Sequence, residues 1–181
     1  FVYMLQYEMI PFLRGYQATR ILAWINPKKY SAAYWQQENS IMAIGSGQLW
    51  GKGLNNTEIA SVKNGNFLSE EQTDFIFAII GEEMGFVGAM IVIALFLLLV
   101  YECLMMAYRA KDLSGRLICT GMATLLAFQS FANIAVATAI FPNTGLPLPF
   151  VSYGVSSLLS LYIGIGVVLN VGLQRRYSNE W

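Results

Sequence analysis

Few residues of this chain could do chemistry, and three of them are carboxylates near one another: Asp74, Glu82 and Glu83. A carboxylate held away from bulk water can act as a general base, and basic side chains can stabilise a departing anion. Basic candidates stand upstream at Arg14, Arg20 and Lys52, and hydroxyl candidates downstream at Ser152 and Tyr153. The chain has no His, which removes His-based triads, proton shuttles and most zinc sites. Its 2 cysteines, Cys103 and Cys119, lie in apolar runs and read as small buried hydrophobes. One Asp and two distant Glu do not define a metal site. No cofactor follows from these residues, although a divalent cation beside the carboxylates is chemically compatible with them.

Composition sets the elements that must carry these groups. The chain is 56% hydrophobic and 12% charged. Soluble domains carry about 25% charged residues, so half that share points to lipid. The net charge is zero, which gives no electrostatic reason to expect nucleic acid. The expected fold is all-α, a polytopic helical membrane protein. Residues 1–10 read as the end of a truncated transmembrane helix, since they are too few to span and include Glu8. Residues 11–73 form a large extracytoplasmic loop. Transmembrane helices are expected at 74–108, 117–141 and 155–173, joined by a cytoplasmic loop at 109–116 and an outer Pro-rich loop at 142–154. A cytoplasmic tail, 174–181, ends the chain. The first residue lies inside an apolar stretch without a basic leader, so further chain upstream is expected.

Short-loop basic residues set the orientation. Arg109, Lys111 and Arg116 share one side with Arg175 and Arg176, and that side is expected to be cytoplasmic. The long segment carries aromatic residues, including Trp24, Tyr34, Trp35 and Trp50, which linkers lack. Stretches 20–24 and 32–44 suit short interfacial helices. The glycines at 45, 47, 51 and 53 make a permissive turn or a backbone surface for a phosphate or sugar. They are not a phosphate-binding loop of the Walker type, because the spacing is wrong.

The three carboxylates divide by depth. Asp74 could cap the following helix, where an acid suits the dipole, or face a cavity. Glu82 and Glu83 lie about 12 and 13.5 Å further along a helix rising ~1.5 Å per residue. That brings them to the boundary of the apolar core, where ionisable groups pair or line a wet cavity. They are expected to order the cavity that Asp74 faces, with Glu82 paired to a basic residue as the structural reading. Gln129 and Asn133 share a helix face and suit interhelical hydrogen bonds. Ser156, Ser160 and Gly164 form a small-residue stripe suited to packing. Pro142, Pro147 and Pro149 forbid helix, so their segment must be covered by protein or line a cavity.

Several motifs together resemble the SEDS family (shape, elongation, division and sporulation proteins), the RodA/FtsW/SpoVE group. Tyr16-Gln17, Arg20-Ile21 and Asn26-Pro27 resemble the start of its outer loop. Ser40 to Gly47 with Gly51-Lys52-Gly53 resembles its glycine motif. Phe67-Leu68, Thr73 to Ala78 and Gly81 to Gly88 resemble its most specific stretch. Thr144 to Gly154 with Ser156-Ser157 resembles its C-terminal signature. The departures are Ser69 where Pro is usual, Gln72 where His is usual, and Val155 where a second Gly is usual.

The resemblance implies the C-terminal part of a ten-helix bundle, from the end of the seventh helix through the tenth, and inactivity of this part alone. It implies an enzyme that polymerises lipid II into glycan strands on the outer face of the bacterial cytoplasmic membrane. It also implies a class B penicillin-binding protein as partner, membrane lipids as surroundings, and the family's essential acid at Asp74. The wording of residues 144–150 leans toward the elongation-type, RodA-like branch. In such a reaction Asp74 would be the base and Arg14, Arg20, Lys52, Ser152 and Tyr153 substrate contacts. Two other readings stand beside it: a flippase for the lipid-linked precursor, and a non-catalytic scaffold for the penicillin-binding protein. The position of the carboxylates at the boundary, not the midplane, favours surface chemistry.

Overall fold

The computed structural model describes residues 16–53 and 74–174. Arg14, Ser69, Gln72, the segment 1–10 and the pair Arg175-Arg176 lie outside the described residues. Every regular element among the described residues is a helix: α1 (Tyr16–Ile25), α2 (Ser31–Ser46), α3 (Ile76–Arg109), α4 (Leu113–Ala137) and α5 (Val155–Gln174). The last three are each long and apolar enough to cross a membrane, and the protein is a membrane protein. Leucines 95, 97 and 98 of α3 and Leu159, Ile163 and Leu169 of α5 are exposed, as suits faces solvated by lipid or by other apolar helices.

The three long helices run antiparallel to their sequence neighbours. Only three residues separate α3 from α4, so these two are obliged to pack side by side. Their interface is built of small side chains, with Cys103, Ala107, Cys119 and Ala123 buried beside Leu126 and, from α5, Leu161 and Val168. Small residues let backbones approach where no hydrophobic force separates helix from lipid. Both cysteines are free and buried. Of the small stripe in α5, Gly164 packs against Met122, while Ser156 and Ser160 stay exposed, and Ser160 donates to the Ser156 carbonyl of its own helix.

Helix α4 starts four residues earlier than the apolar run and ends at Ala137, not at 141. Ala139 adopts a left-handed φ of 55°, which turns the chain before Pro142. The last four carbonyls of a helix have no partner within it. Here the chain's own turn and the α1–α2 pair supply them. The Thr138 amide donates to Ile134, the Phe141 amide to Ala135 and the Ala139 amide to Val136. Gln37 Nε2 donates to the Val136 and Phe141 carbonyls at 3.2 and 2.7 Å. Ser40 Oγ donates to Ala137 at 2.8 Å, and Trp24 Nε1 to Ala139 at 2.9 Å. The two short helices of the long segment are therefore seated on the end of α4.

Helix α3 is interrupted at Gly85, with φ 68° and ψ −166°. In an unbroken helix the Phe86 and Val87 amides would bond the Glu82 and Glu83 carbonyls. All four groups turn to the segment after α2 instead. Phe86 donates to Gln48 at 2.8 Å and Val87 to Leu49 at 3.2 Å, while Lys52 donates to Glu82 at 2.9 Å and Gly53 to Glu83 at 3.0 Å. The loop thus gives partners to these four groups. Such proximity needs bare backbone: Gly51 is at φ +78°, and a Cβ there would collide with the Glu83 carbonyl. Glycine alone meets both conditions without strain.

Gly51→Ala is expected to destabilise the full-length protein by about 1–3 kcal/mol or more. Gly45→Ala, on a helix with open space around it, should instead stabilise by roughly 0.5–1 kcal/mol. Thermal unfolding in detergent reads both. Equal shifts of one sign would contradict the close-approach account.

Candidate functional site

Asp74 sits just before α3, at the end of the bundle where α4 stops and α5 begins. It is buried, with 7% of its surface exposed. It stands one residue ahead of the N-cap position, Phe75, which has no side-chain cap bond. The Asp74 carboxylate turns to the Pro-rich segment. Its Oδ2 lies 3.5 Å from where a Gly145 side chain would begin, and Arg20 Nη1 lies 3.6 Å from the same point. A carboxylate from one segment and a guanidinium from another therefore flank the same glycine, at φ +70°.

The Pro-rich segment is fixed from below and from the side. Arg20 Nη1 donates to the Asn143 carbonyl at 3.2 Å. Asn143 Oδ1 accepts the Gly145 amide at 3.1 Å, an Asx turn. From α4, Asn133 Nδ2 donates to Leu146 at 2.8 Å and Gln129 Nε2 to Pro147 at 3.0 Å. The same Asn133 Nδ2 donates to the Asp74 carbonyl at 2.9 Å. Ser152 Oγ accepts the Leu148 amide at 2.7 Å. Non-helical backbone beside an apolar bundle is best tolerated when its polar groups are covered by protein, and these bonds cover part of the segment.

The candidate residues thus separate. Arg20 and Asp74 are brought together. Lys52 is joined to Glu82, Nζ to Oε1 at 2.8 Å, with Glu82 2% exposed. The loop that mends the α3 break also carries the cation that neutralises this buried carboxylate. Ser152 is buried and its hydroxyl serves the turn, whereas Tyr153 is exposed. Glu83 is half-buried on the α3 segment ahead of the break. Among the described residues no three carboxylate, thiol or imidazole groups gather as a metal site would need. Val155 is the first residue of α5, and its side chain is exposed.

Sequence reasoning gave Asn133 an interhelical role, but the residue bonds two backbone segments instead. Its Oδ1, together with Ser130 Oγ, has no hydrogen-bond partner and is buried. An unsatisfied buried acceptor costs about 1–3 kcal/mol, so the two donated bonds must matter to the fold. Gln37 and Ser40 also escaped notice. Their signal was a polar run, Gln36 to Ser40, of which Gln37 and Ser40 at i and i+3 share a face, as donors for a neighbouring helix end would.

An all-helical membrane bundle with a buried carboxylate beside a proline-stiffened segment defines the class of protein. The family described as cell cycle protein (FtsW, RodA, SpoVE) matches residues 2–177, and the chain belongs to this family. A relative from Trichlorobacter lovleyi, described as "Probable peptidoglycan glycosyltransferase FtsW", is 40% identical over 87% of this chain and 40% of its own length. "Stage V sporulation protein E" of Bacillus subtilis is 39% identical, covering 90% and 43%. "Peptidoglycan glycosyltransferase MrdB" of Escherichia coli is 39% identical, covering 93% and 45%. The chain spans less than half the length of these relatives. A solved structure described as "Structural coordination of polymerization and crosslinking by a peptidoglycan synthase complex" aligns with a TM-score of 0.67 at 32% identity, covering 91% of this chain and 44% of that one. A Thermus thermophilus rod shape determining protein RodA, crystallised as an Asp-to-Ala mutant, gives 0.57 at 30% identity, covering 88% and 50%.

Removing one partner of a buried ion pair strands the other charge. Lys52→Met is expected to lower stability by on the order of 3 kcal/mol, and Lys52→Met with Glu82→Gln should recover more than half of that loss. Chemical or thermal unfolding of the four proteins checks the cycle. A double variant no better than the single one would show that the pair does not act as a unit.

Proposed function

We propose that this chain works within a peptidoglycan glycosyltransferase that polymerises lipid II, with Asp74 as the general base. The observation that carries the reading is the buried Asp74 carboxylate facing Gly145 beside Arg20. The relatives named as peptidoglycan glycosyltransferases support the substrate class. The solved peptidoglycan synthase complex supports a crosslinking partner of the class B penicillin-binding kind.

The reaction is an inverting glycosyl transfer. A hydroxyl of one lipid-linked disaccharide attacks the anomeric carbon of another. The new glycosidic bond forms as the bond to the polyprenyl pyrophosphate breaks, and the hydroxyl proton passes to the Asp74 carboxylate. A base in this position contributes typically about 10²–10⁴-fold. The departing pyrophosphate needs positive charge. Arg20 is the cation nearest Asp74 that the described residues supply, and Arg14 is a further candidate by sequence. Lys52 acts through Glu82, holding the loop against α3. Glu83 shares that ordering role. Ser152 shapes the turn, and exposed Tyr153 suits contact with a lipid-linked substrate. The site faces the extracytoplasmic side of a multi-pass protein, as the basic residues at 109, 111 and 116 favour.

The test is polymer formation from lipid II by the full-length protein with its partner in detergent. Asp74→Ala is expected to lower the rate by at least ~10²-fold, with folding and partner binding unchanged. A variant that polymerises at the normal rate would remove Asp74 from catalysis. Lipid movement across vesicles without polymer would favour a flippase.

A further inference from the structure

We infer that Asn133 is a positioning residue for the Asp74 carboxylate. This inference rests on the glycosyltransferase reading. Asn133 is 1% exposed on α4, one turn before that helix ends. Its amide nitrogen donates to two backbone carbonyls that belong to different segments: Asp74 at 2.9 Å and Leu146 at 2.8 Å.

Each acceptor adjoins the site. The first is the peptide of the reactive residue itself. The second follows Gly145, the residue that Asp74 Oδ2 faces. One planar group with two hydrogens in fixed directions therefore sets the spacing between the carboxylate and the segment opposite it. In a continuous helix the Ala78 amide would bond the Asp74 carbonyl; here it bonds Phe75, and Asn133 donates to Asp74. The orientation of the amide is fixed by its surroundings: turned over, its oxygen would face two carbonyl oxygens. Gln129, one turn earlier, donates to Pro147 and holds only the loop. Asn133 bonds the loop and the Asp74 peptide with one and the same group. A displacement of about 1 Å in a reacting group can cost on the order of 10² in rate, so a loss here should appear in turnover, not in substrate affinity.

The experiment uses the full-length protein with its partner, lipid II as substrate, and the variants Asn133→Leu, Asn133→Asp and Asn133→Gln. Leu and Asp keep the branching at the γ carbon; Leu loses both donors and Asp keeps at most one, whereas Gln keeps the amide. The expected result is kcat lowered at least 10-fold in Asn133→Leu and Asn133→Asp, KM within about twofold of the parent, and partial recovery in Asn133→Gln. Rates are taken per monodisperse, partner-bound complex, so a plain loss of folded protein does not register. Unchanged kcat in Asn133→Leu, or an Asn133→Gln no better than Asn133→Leu, overturns the inference. Should Asn133→Leu fail to assemble, Asn133→Ser carries the same comparison, with lowered kcat supporting the inference and unchanged kcat overturning it. If the parent protein makes no polymer at all, the glycosyltransferase reading falls first, and the inference with it.

Discussion

Where a chain leaves regular helix inside an apolar environment, every freed amide and carbonyl must find a partner in protein. This chain leaves helix at the Gly85 break, at the end of α4 and along residues 138–154. Each departure is matched by polar groups from elsewhere in the sequence. Residues 48–53 fill the break, Gln37, Ser40 and Trp24 meet the end of α4, and Gln129 and Asn133 hold the Pro-rich segment. An unmet group at such depth costs several kcal/mol, so these partners fix how the segments meet. The position of Asp74 is a consequence of that matching.

The same constraint explains why the polar residues of the long segment are so economically used. A helix that ends in water can leave its carbonyls to solvent. Helix α4 ends beneath α1 and α2, so those two helices must bring donors. The loop after α2 reaches α3 only because two glycines let backbone meet backbone. It then delivers Lys52 to a buried glutamate, and the ion pair and the backbone pairing reinforce each other. Packing of α1, α2 and residues 48–53 onto α3 and α4 thus helps to shape the site.

Much of this could be read in the sequence. The three long helices show in the length of the apolar runs, and the short helices α1 and α2 in aromatic stretches that no linker would carry. Asp74 stood out chiefly because the motifs around it resemble one family, since an acid opening an apolar helix could equally serve as a cap. The pairing of Glu82 with a basic residue was also legible, since a buried charge needs a counterion. Its identity was not, because Lys52 is thirty positions away and reaches Glu82 only through the break at Gly85. A glycine within an apolar helix pattern gives no local sign of positive φ. The end of α4 at Ala137 was hidden for a similar reason: residues 138–141 carry no charge and no helix breaker, and the early ending is made favourable by the chain's own turn together with donors from α1 and α2. Asn133 was visible as a polar residue in an apolar helix and Gln37 was hidden among other polar residues, but in both cases the acceptors are backbone carbonyls, which carry no sequence signature.

The central claim is that the Asp74 carboxylate faces the reacting sugar across the Gly145 segment. The most direct measurement is a structure of the full-length protein with its partner and a bound lipid II analogue in the acceptor position. The account predicts an Asp74 carboxylate oxygen within about 3.2 Å of the acceptor hydroxyl, or joined to it through one water. A sugar bound away from Asp74, with another side chain against that hydroxyl, would contradict it.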